Sequence, residues 1–205
     1  MSLFPIFVKL EGRLIAVVGG GNIAEAKIPG VLHAGARIRL IAPTITAQVA
    51  EWVRLGNIDW LPREFEAADL DGAFLVIAAT SAPGVNEAVF REAETRGILC
   101  NAVDDIEHCH FYYGAVVQRG DLQIAISTNG KSPALAQRLR QEFEAHFGPE
   151  YEVWLQWLGA AREALRASGP SSDTTKRLLH ELASRPMFEQ FVREVQRRPG
   201  RRGAA

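Results

Sequence analysis

A glycine-rich segment near the start of the chain has the spacing of a phosphate-binding turn. The motif G-x-G-x-x-A runs from Gly19 through Gly21 to Ala24, directly after the apolar run LIAVV at 14–18 and at the start of a predicted helix. Glycines here allow a tight turn and a close approach of the backbone to a pyrophosphate, and the free N–H groups of the helix attract the anion. The pattern predicts a dinucleotide site, with a plain glycine turn as the alternative.

The acidic residue that normally accompanies this motif is missing. A carboxylate at the end of the second strand usually binds a ribose hydroxyl, but this chain has Ala42-Pro43-Thr44 there. Backbone groups of Pro43 and Thr44 would have to serve instead. Charge alone therefore does not decide between NAD and NADP.

Two carboxylates follow the predicted fifth strand, at the edge where open α/β sheets bind ligands. Asp104 and Asp105 come directly after Asn101-Ala102-Val103. A carboxylate at this edge can act as a general base, ligate a metal or cap a helix. Position favours Asp104 over Asp105 as a functional residue, and the three roles stay open.

Two further clusters contain reactive or anion-binding groups. The run at 107–110, Glu-His-Cys-His, has the residue types of a metal site. Neighbouring side chains diverge, however, and tetrahedral sites draw on separated pairs of ligands, so we expect a surface loop and no metal site. The run at 128–133, Thr-Asn-Gly-Lys-Ser-Pro, is either a simple connection or a turn whose N–H groups and Lys131 hold a carboxylate.

Composition and charge argue against several classes of protein. Of 205 residues, 47% are hydrophobic and 23% charged, which suits a chain with a sizeable core. The formal net charge of −1 argues against nucleic acid as the partner, because phosphate binding normally leaves a basic surplus. No apolar stretch reaches the roughly 18 residues of a membrane span, and we expect no signal peptide. Two cysteines, Cys100 and Cys109, fit a reducing cytoplasm.

The periodicity of apolar residues predicts the elements that position these groups. Short β-branched runs alternate with helical segments through the first hundred residues, which predicts a Rossmann-type, doubly wound parallel sheet. Strands are expected at 14–18, 37–41, 58–61, 73–78 and 98–100, and helices at 22–34, 44–55 and 83–96.

A different pattern begins after Asn101. Two strand-like runs, 112–119 and 122–127, flank Gly120-Asp121 as a hairpin, and Ser132-Pro133 starts a helix to about residue 147. The remainder is predicted to be helical, with Trp154 and Trp157 in a core or a subunit interface. The open edge of the hairpin predicts pairing with a second copy.

Several short segments of the sequence, taken together, resemble those of one known family. They are Pro5-Ile6-Phe7, 17–24 with Lys27, Ala34-Gly35-Ala36, Ala78-Ala79-Thr80, Val85-Asn86, Asn101-x-Val103-Asp104 and 126–136. Over about residues 3 to 145 the chain resembles the precorrin-2 dehydrogenase/sirohydrochlorin ferrochelatase family of sirohaem biosynthesis, which includes the N-terminal module of bacterial sirohaem synthases.

The resemblance implies an activity, a cofactor and a set of partners. The family oxidises precorrin-2 to sirohydrochlorin with NAD, and bifunctional members then insert Fe2+. The expected protein is a cytoplasmic homodimer with a dinucleotide-binding domain at 1–113, a dimerisation segment at 114–148 and a helical domain at 149–205. The last residues, 199–205, are expected to be disordered.

The resemblance also assigns site residues by position. With Gly19 from the glycine motif, the NAD site comprises Gly21, Asn22, Ile23, Pro43, Thr44 and Thr80. Asp104 matches the essential aspartate of the family, and Thr128 falls where many members carry a serine, so a hydroxyl is retained. The competing interpretation is a non-catalytic nucleotide sensor, which would require neither Asp104 nor the loop at 128–136. The eight carboxylates of the substrate would suit Arg119, Lys131 and Arg138.

Overall fold

The computed structural model describes residues 3–169 and 171–197, so the predicted disordered tail at 199–205 lies outside the described residues. The chain divides into two compact units, one over Leu3–Tyr113 and one from Gly114 onward. None of the helices in the described residues combines the length and the hydrophobicity of a membrane span.

The first unit is a five-stranded parallel sheet with helices on both faces. Its strands are β1 (Leu14–Val18), β2 (Arg37–Ile41), β3 (Ile58–Leu61), β4 (Leu75–Ala78) and β5 (Leu99–Ala102), and its helices are α1 (Asn22–His33), α2 (Ala47–Arg54) and α3 (Pro83–Arg96). The spatial order is β3-β2-β1-β4-β5, with every neighbouring pair parallel. The predicted Rossmann-type sheet is confirmed.

The continuous apolar run of β1 is explained by burial on both faces of the sheet. Ile15 and Val17 pack into a cluster that includes Ile28 of α1, whereas Ala16 packs into a second cluster that includes Val89 of α3. All five side chains are fully buried. Because alternate residues of a strand point to opposite faces, a strand covered on both sides shows no polar alternation.

Several element boundaries differ from the predicted ones, for example the first hairpin strand, which begins at Ala115 and not at 112, and two of the differences have clear local causes. The second helix begins at Ala47 and not at 44, because the Thr46 hydroxyl accepts a hydrogen bond from the Val49 amide and caps it. The fifth strand continues to Ala102, since Asn101 pairs with the strand beside it and donates its side-chain amide to the Phe111 carbonyl at 2.8 Å. Neither effect is visible in apolar periodicity.

The second unit begins with a two-stranded antiparallel hairpin followed by helices. The strands are β6 (Ala115–Arg119) and β7 (Leu122–Ile126), and the helices are α4 (Pro133–His146), α5 (Glu150–Ala167), α6 (Ser172–Leu182) and α7 (Arg185–Arg197). Ser132 caps α4 by accepting a hydrogen bond from the Leu135 amide at 3.2 Å, which confirms the predicted helix start.

Arg119 ties the hairpin to the end of α4. Its guanidinium donates hydrogen bonds to the carbonyls of Phe147 and Glu144, at 2.8 and 3.0 Å. Lysine or arginine side chains at a helix C-terminus commonly satisfy such carbonyls. Arg119 is therefore engaged within this unit, and a role in binding a substrate carboxylate stays a prediction.

A buried carboxylate fixes the segment between β3 and β4. Asp69 is 3% exposed and accepts hydrogen bonds from both Nη atoms of Arg63, at 2.8 and 2.5 Å, and from the Glu66 amide at 2.8 Å. Burial by itself would raise the pKa of Asp69, but these hydrogen bonds outweigh it and lower the pKa below its ordinary value. The ionised form of Asp69 is thus the one that stabilises the fold.

We expect Asp69→Asn to lower the free energy of unfolding by roughly 1–3 kcal/mol at neutral pH, because a hydrogen-bonded buried charge is lost. A carboxyl whose pKa is lowered on folding contributes fully above its unfolded pKa and loses that contribution as the pH falls through the folded value. The difference between wild type and variant in urea denaturation should therefore shrink below pH 3.8, the ordinary carboxyl pKa. A difference that is constant down to pH 2 would contradict this account.

Candidate functional site

A cleft of about 770 Å³ opens at the carboxyl edge of the parallel sheet. The strand order reverses between β1 and β4, and ligands of open α/β sheets bind at such a switch point. The cleft is lined by the turns after four strands and by the start of α3: residues 18–23, 41–44, 63–65, 79–82, Gly84, Val85 and Ala88.

The three consecutive glycines of the first turn meet different surroundings. Gly19 has φ +109°, and a Cβ there would lie 2.5 Å from the carbonyl oxygen of Ala79. A Cβ on Gly20 would lie 2.4 Å from the carbonyl oxygen of Thr44, whereas a Cβ on Gly21 would meet nothing within 4 Å. The fold therefore requires glycine at 19 and 20, and the glycine at 21 leaves open space beside the cleft.

The N-terminus of α1 presents unpaired backbone groups to the cleft. Gly21 is the N-cap residue and offers no side-chain hydrogen bond, and Asn22 and Ile23 form the first turn. The first N–H groups of any helix lack partners inside the helix, and they attract anions together with the helix dipole. This geometry fits the pyrophosphate of a dinucleotide.

Thr46 links the glycine turn to the wall that follows β2. Its amide donates to the Gly20 carbonyl at 3.0 Å, and its hydroxyl donates to Glu25 of α1 at 2.6 Å. These contacts hold Pro43 and Thr44, two of the predicted cofactor residues, at the cleft. The sequence indicated the position of this wall but not the contacts that fix it.

Asn86 fixes the turn after β4 and was not predicted as a site residue. It is buried, and its side-chain oxygen accepts hydrogen bonds from the Thr80 amide and hydroxyl at 3.2 and 2.8 Å, while its amide donates to the Thr80 carbonyl at 3.1 Å. Thr80 is thereby held at the cleft wall. The sequence signal that could have identified Asn86 is its place as a polar residue on the sheet-facing side of a predicted helix.

The turn after β3 forms a further wall that no motif indicated. Arg63, Glu64 and Phe65 line the cleft, although Ile58–Leu61 is the strand with the weakest apolar pattern. All seven predicted cofactor residues, by contrast, line this one cleft: Gly19, Gly21, Asn22, Ile23, Pro43, Thr44 and Thr80.

Asp104 lies directly beyond β5 with its backbone in the left-handed region, at φ +63°. Its side chain is exposed and makes no hydrogen bond or ion pair with any other described residue. It is not the cap of the short helical turn at 106–108, which begins after Asp105. Left-handed backbone is uncommon outside glycine and is concentrated at functional sites, although aspartate accepts it better than most residues.

The histidines of the adjoining loop are engaged by separate partners. His108 Nδ1 lies 2.6 Å from Asp105, and this hydrogen bond holds the pKa of Asp105 below its ordinary value. His110 stacks on Phe90, and its Nδ1 accepts a hydrogen bond from the Cys100 amide at 3.0 Å. Across residues 3–169 and 171–197, no three histidine, cysteine or acidic side chains are grouped as metal ligands.

Thr128 belongs to the second unit, unlike the other predicted site residues. Its hydroxyl donates to the Ser132 carbonyl at 3.1 Å and accepts from the Ser132 amide at 3.2 Å. The hydroxyl therefore closes the loop that precedes α4. Lys131 lies in that loop, and Arg138, the third suggested carboxylate ligand, pairs with Glu142 at 3.2 Å.

Comparison with known proteins gives two family matches. Residues 6–115 match a family described as putative NAD(P)-binding, and residues 119–146 match one described as sirohaem biosynthesis protein central. The first match covers more than half of the chain and confirms the prediction of a nicotinamide dinucleotide as cofactor.

Individual relatives belong to the same pathway. A sirohaem synthase of Photorhabdus laumondii subsp. laumondii is 43% identical over 81% of this chain, and sirohaem synthase 1 of Serratia proteamaculans is 39% identical over 82% of it. These matches cover 35% and 36% of the two synthases, so the chain spans about a third of their length. The solved structure of SirC, a precorrin-2 dehydrogenase, superposes with a TM-score of 0.77 at 28% identity, over 96% of this chain and 100% of SirC. The chain therefore belongs to the family described as putative NAD(P)-binding, and it is similar to sirohaem synthases and to SirC, as the motifs in its sequence had indicated.

Proposed function

We propose that this chain oxidises precorrin-2 to sirohydrochlorin with NAD, as a step of sirohaem biosynthesis. The observation that carries the proposal is a dinucleotide-sized cleft at the same sheet edge as an exposed carboxylate without a partner among the described residues. The similarity to SirC supports it, since that protein is a precorrin-2 dehydrogenase and is covered along its whole length.

The residues of the cleft hold and orient the cofactor. The unpaired N–H groups at the start of α1 bind the pyrophosphate, and the turns after β2 and β4 hold the two nucleoside halves. The chemistry that NAD supplies when bound is acceptance of a hydride. Asn86 acts through Thr80, whose position at the wall it fixes.

Asp104 is the proposed general base. Loss of a hydride from the macrocycle must be matched by loss of a proton, and a carboxylate at this edge can accept it. His108 and His110 are the rivals, but the Nδ1 atom of each is engaged, by Asp105 in His108 and by the Cys100 amide in His110. The carboxylate of Asp104 has no such engagement within the described residues.

Thr128 is proposed as a positioning residue of the loop at 128–133, because its hydroxyl is occupied by both backbone groups of Ser132. In that loop Lys131 and the N-terminus of α4 supply positive potential toward the carboxylates of a tetrapyrrole. Insertion of Fe2+ into sirohydrochlorin is a second proposed activity, in which Asp104 would accept the pyrrole protons.

A homodimer formed through the second unit is also proposed. In its described part, only Val117 and Phe188 are buried hydrophobic residues. Large apolar side chains remain exposed on the hairpin and helices: Val116, Leu135, Val153, Trp157 and Val195. A two-stranded sheet is marginal by itself, so a second copy would supply the missing cover. Both cysteines are free, which is consistent with the proposed cytoplasmic location.

Substitutions at two neighbouring glycines test the assignment of the cleft as a dinucleotide site. Gly21→Val should leave a folded protein, because its Cβ meets open space, yet lose NAD affinity because the side chain obstructs the pyrophosphate. Gly20→Ala should instead lower the melting temperature, since its Cβ would strike the Thr44 carbonyl. Titration calorimetry and thermal melting distinguish the two effects. Wild-type NAD affinity in folded Gly21→Val would refute the assignment.

Two substitutions at Asp104 distinguish its contribution to activity from its contribution to stability. Asp104→Asn should keep the fold and NAD binding while lowering precorrin-2 oxidation by ~10²–10⁴. Asp104→Gly should lose activity equally but gain about 1 kcal/mol of stability, because glycine adopts φ +63° without strain. Optical assays with precorrin-2 and NAD, repeated with sirohydrochlorin and Fe2+, measure both activities.

His110→Ala is the control for this pair of variants. Full turnover in Asp104→Asn together with loss in His110→Ala would assign the base to the histidine. Stability losses without activity losses would reduce Asp104 to a structural residue.

The proposed dimer is tested by replacing one exposed apolar side chain in each unit. Wild type should show a mass about twice 22.5 kDa by light scattering. Val116→Lys, on the hairpin, should shift this toward the monomer, because a charge would be buried in the interface. Leu55→Lys, 57% exposed in the first unit, should leave the mass unchanged. A monomeric wild type at micromolar concentration would exclude the dimer.

A further inference from the structure

The end of β3 offers a carboxylate at the cleft where the end of β2 has none. We propose that Glu64 binds the 2′-hydroxyl of the adenine ribose and thereby makes the cleft select NAD over NADP. The inference rests on the proposed function only in requiring a dinucleotide in the cleft, and it is independent of the tetrapyrrole substrate.

Strand pairing places the turn after β3 beside the turn after β2. The two strands are parallel with Ile41 opposite Leu61, and the Ala42 amide donates to the Leu61 carbonyl at 3.2 Å. Thr44 and Glu64 each follow that pair by three residues, and both line the cleft. Glu64 is therefore one strand away from the position where the fingerprint normally has its acid.

Glu64 is chemically suited to this contact. It is the only acidic residue among the described residues that line the cleft, and its side chain has no hydrogen bond or ion pair within the described part of the chain. A carboxylate accepts hydrogen bonds from ribose hydroxyls and repels the negative charge of a 2′-phosphate. In the turn after β2, Ala42 and Pro43 carry no side-chain acceptor, and Thr44 offers only an uncharged hydroxyl, which does not repel a 2′-phosphate.

The neighbouring cation does not cancel this selectivity. Both Nη atoms of Arg63 donate hydrogen bonds to the Asp69 carboxylate, and Nη1 also donates to the Glu64 carbonyl at 2.9 Å. Its charge is thus matched by a buried carboxylate. The same contacts hold the backbone of Glu64, and Phe65 packs against the apolar cluster on the α3 side of the sheet. Glu64 is presented from a fixed turn.

The test measures dissociation constants of NAD, NADP and 2′-deoxy-NAD by titration calorimetry for wild type and Glu64→Gln. Wild type should bind NAD more tightly than either analogue. Glu64→Gln should weaken NAD binding by about tenfold, as expected for loss of one hydrogen bond to a charged group, and should weaken 2′-deoxy-NAD binding far less. The preference for NAD over NADP should fall by at least the same factor.

Asp59→Asn is the matched control, since Asp59 is an exposed acid on β3, the strand that precedes Glu64, and does not line the cleft. It should leave all three constants unchanged. Unaltered NAD affinity in Glu64→Gln, or equal losses for NAD and 2′-deoxy-NAD, would overturn the inference.

The outcomes also separate this inference from the proposed function. If wild type binds none of the dinucleotides, both fail. If Glu64 behaves as expected but precorrin-2 is not oxidised, only the proposed function fails. If precorrin-2 is oxidised with NAD while Glu64→Gln binds like wild type, only the inference fails.

Discussion

The site depends on the close approach of the backbone around Gly19 and Gly20 to the turns after β4 and β2. Their missing side chains let the carbonyls of Ala79 and Thr44 come so near that a Cβ would lie 2.5 and 2.4 Å away. That approach brings three turns together at the point where the strand order reverses. The N-terminus of α1 then faces a cleft bounded by walls from separate parts of the chain.

Two groups of polar side chains in the first unit differ in their hydrogen bonding. Thr46, Asn86 and Asp69 are engaged in hydrogen bonds that fix the cleft walls, and the buried Asn86 and Asp69 would be destabilising without such partners. Asp104 and Glu64 are exposed and have no side-chain partner among the described residues. Rigid walls with a few uncommitted groups are what orientation of a cofactor requires.

The second unit differs from the first in how few apolar side chains it buries. Serine side chains cap α4 and α6, but almost no apolar side chain in the described part of this unit is fully buried. Local signals such as Ser132-Pro133 can establish helices without establishing a core. The first unit, by contrast, has two clusters of buried residues of its own.

The family resemblance supplied most of the seven candidate cofactor residues, all of which line one cleft. The sequence by itself predicted the sheet, the glycine turn and the position of Asp104 after the fifth strand. These features follow from periodicity and from backbone needs of glycine, which are local properties of a few consecutive residues. Only the tertiary structure decided that Asn86 holds Thr80, that Asp104 has left-handed backbone, and that Glu64 belongs to the cleft. The physical reason is that strand order and side-chain pairing join residues distant in the chain, and no local pattern records which strand will lie beside β2.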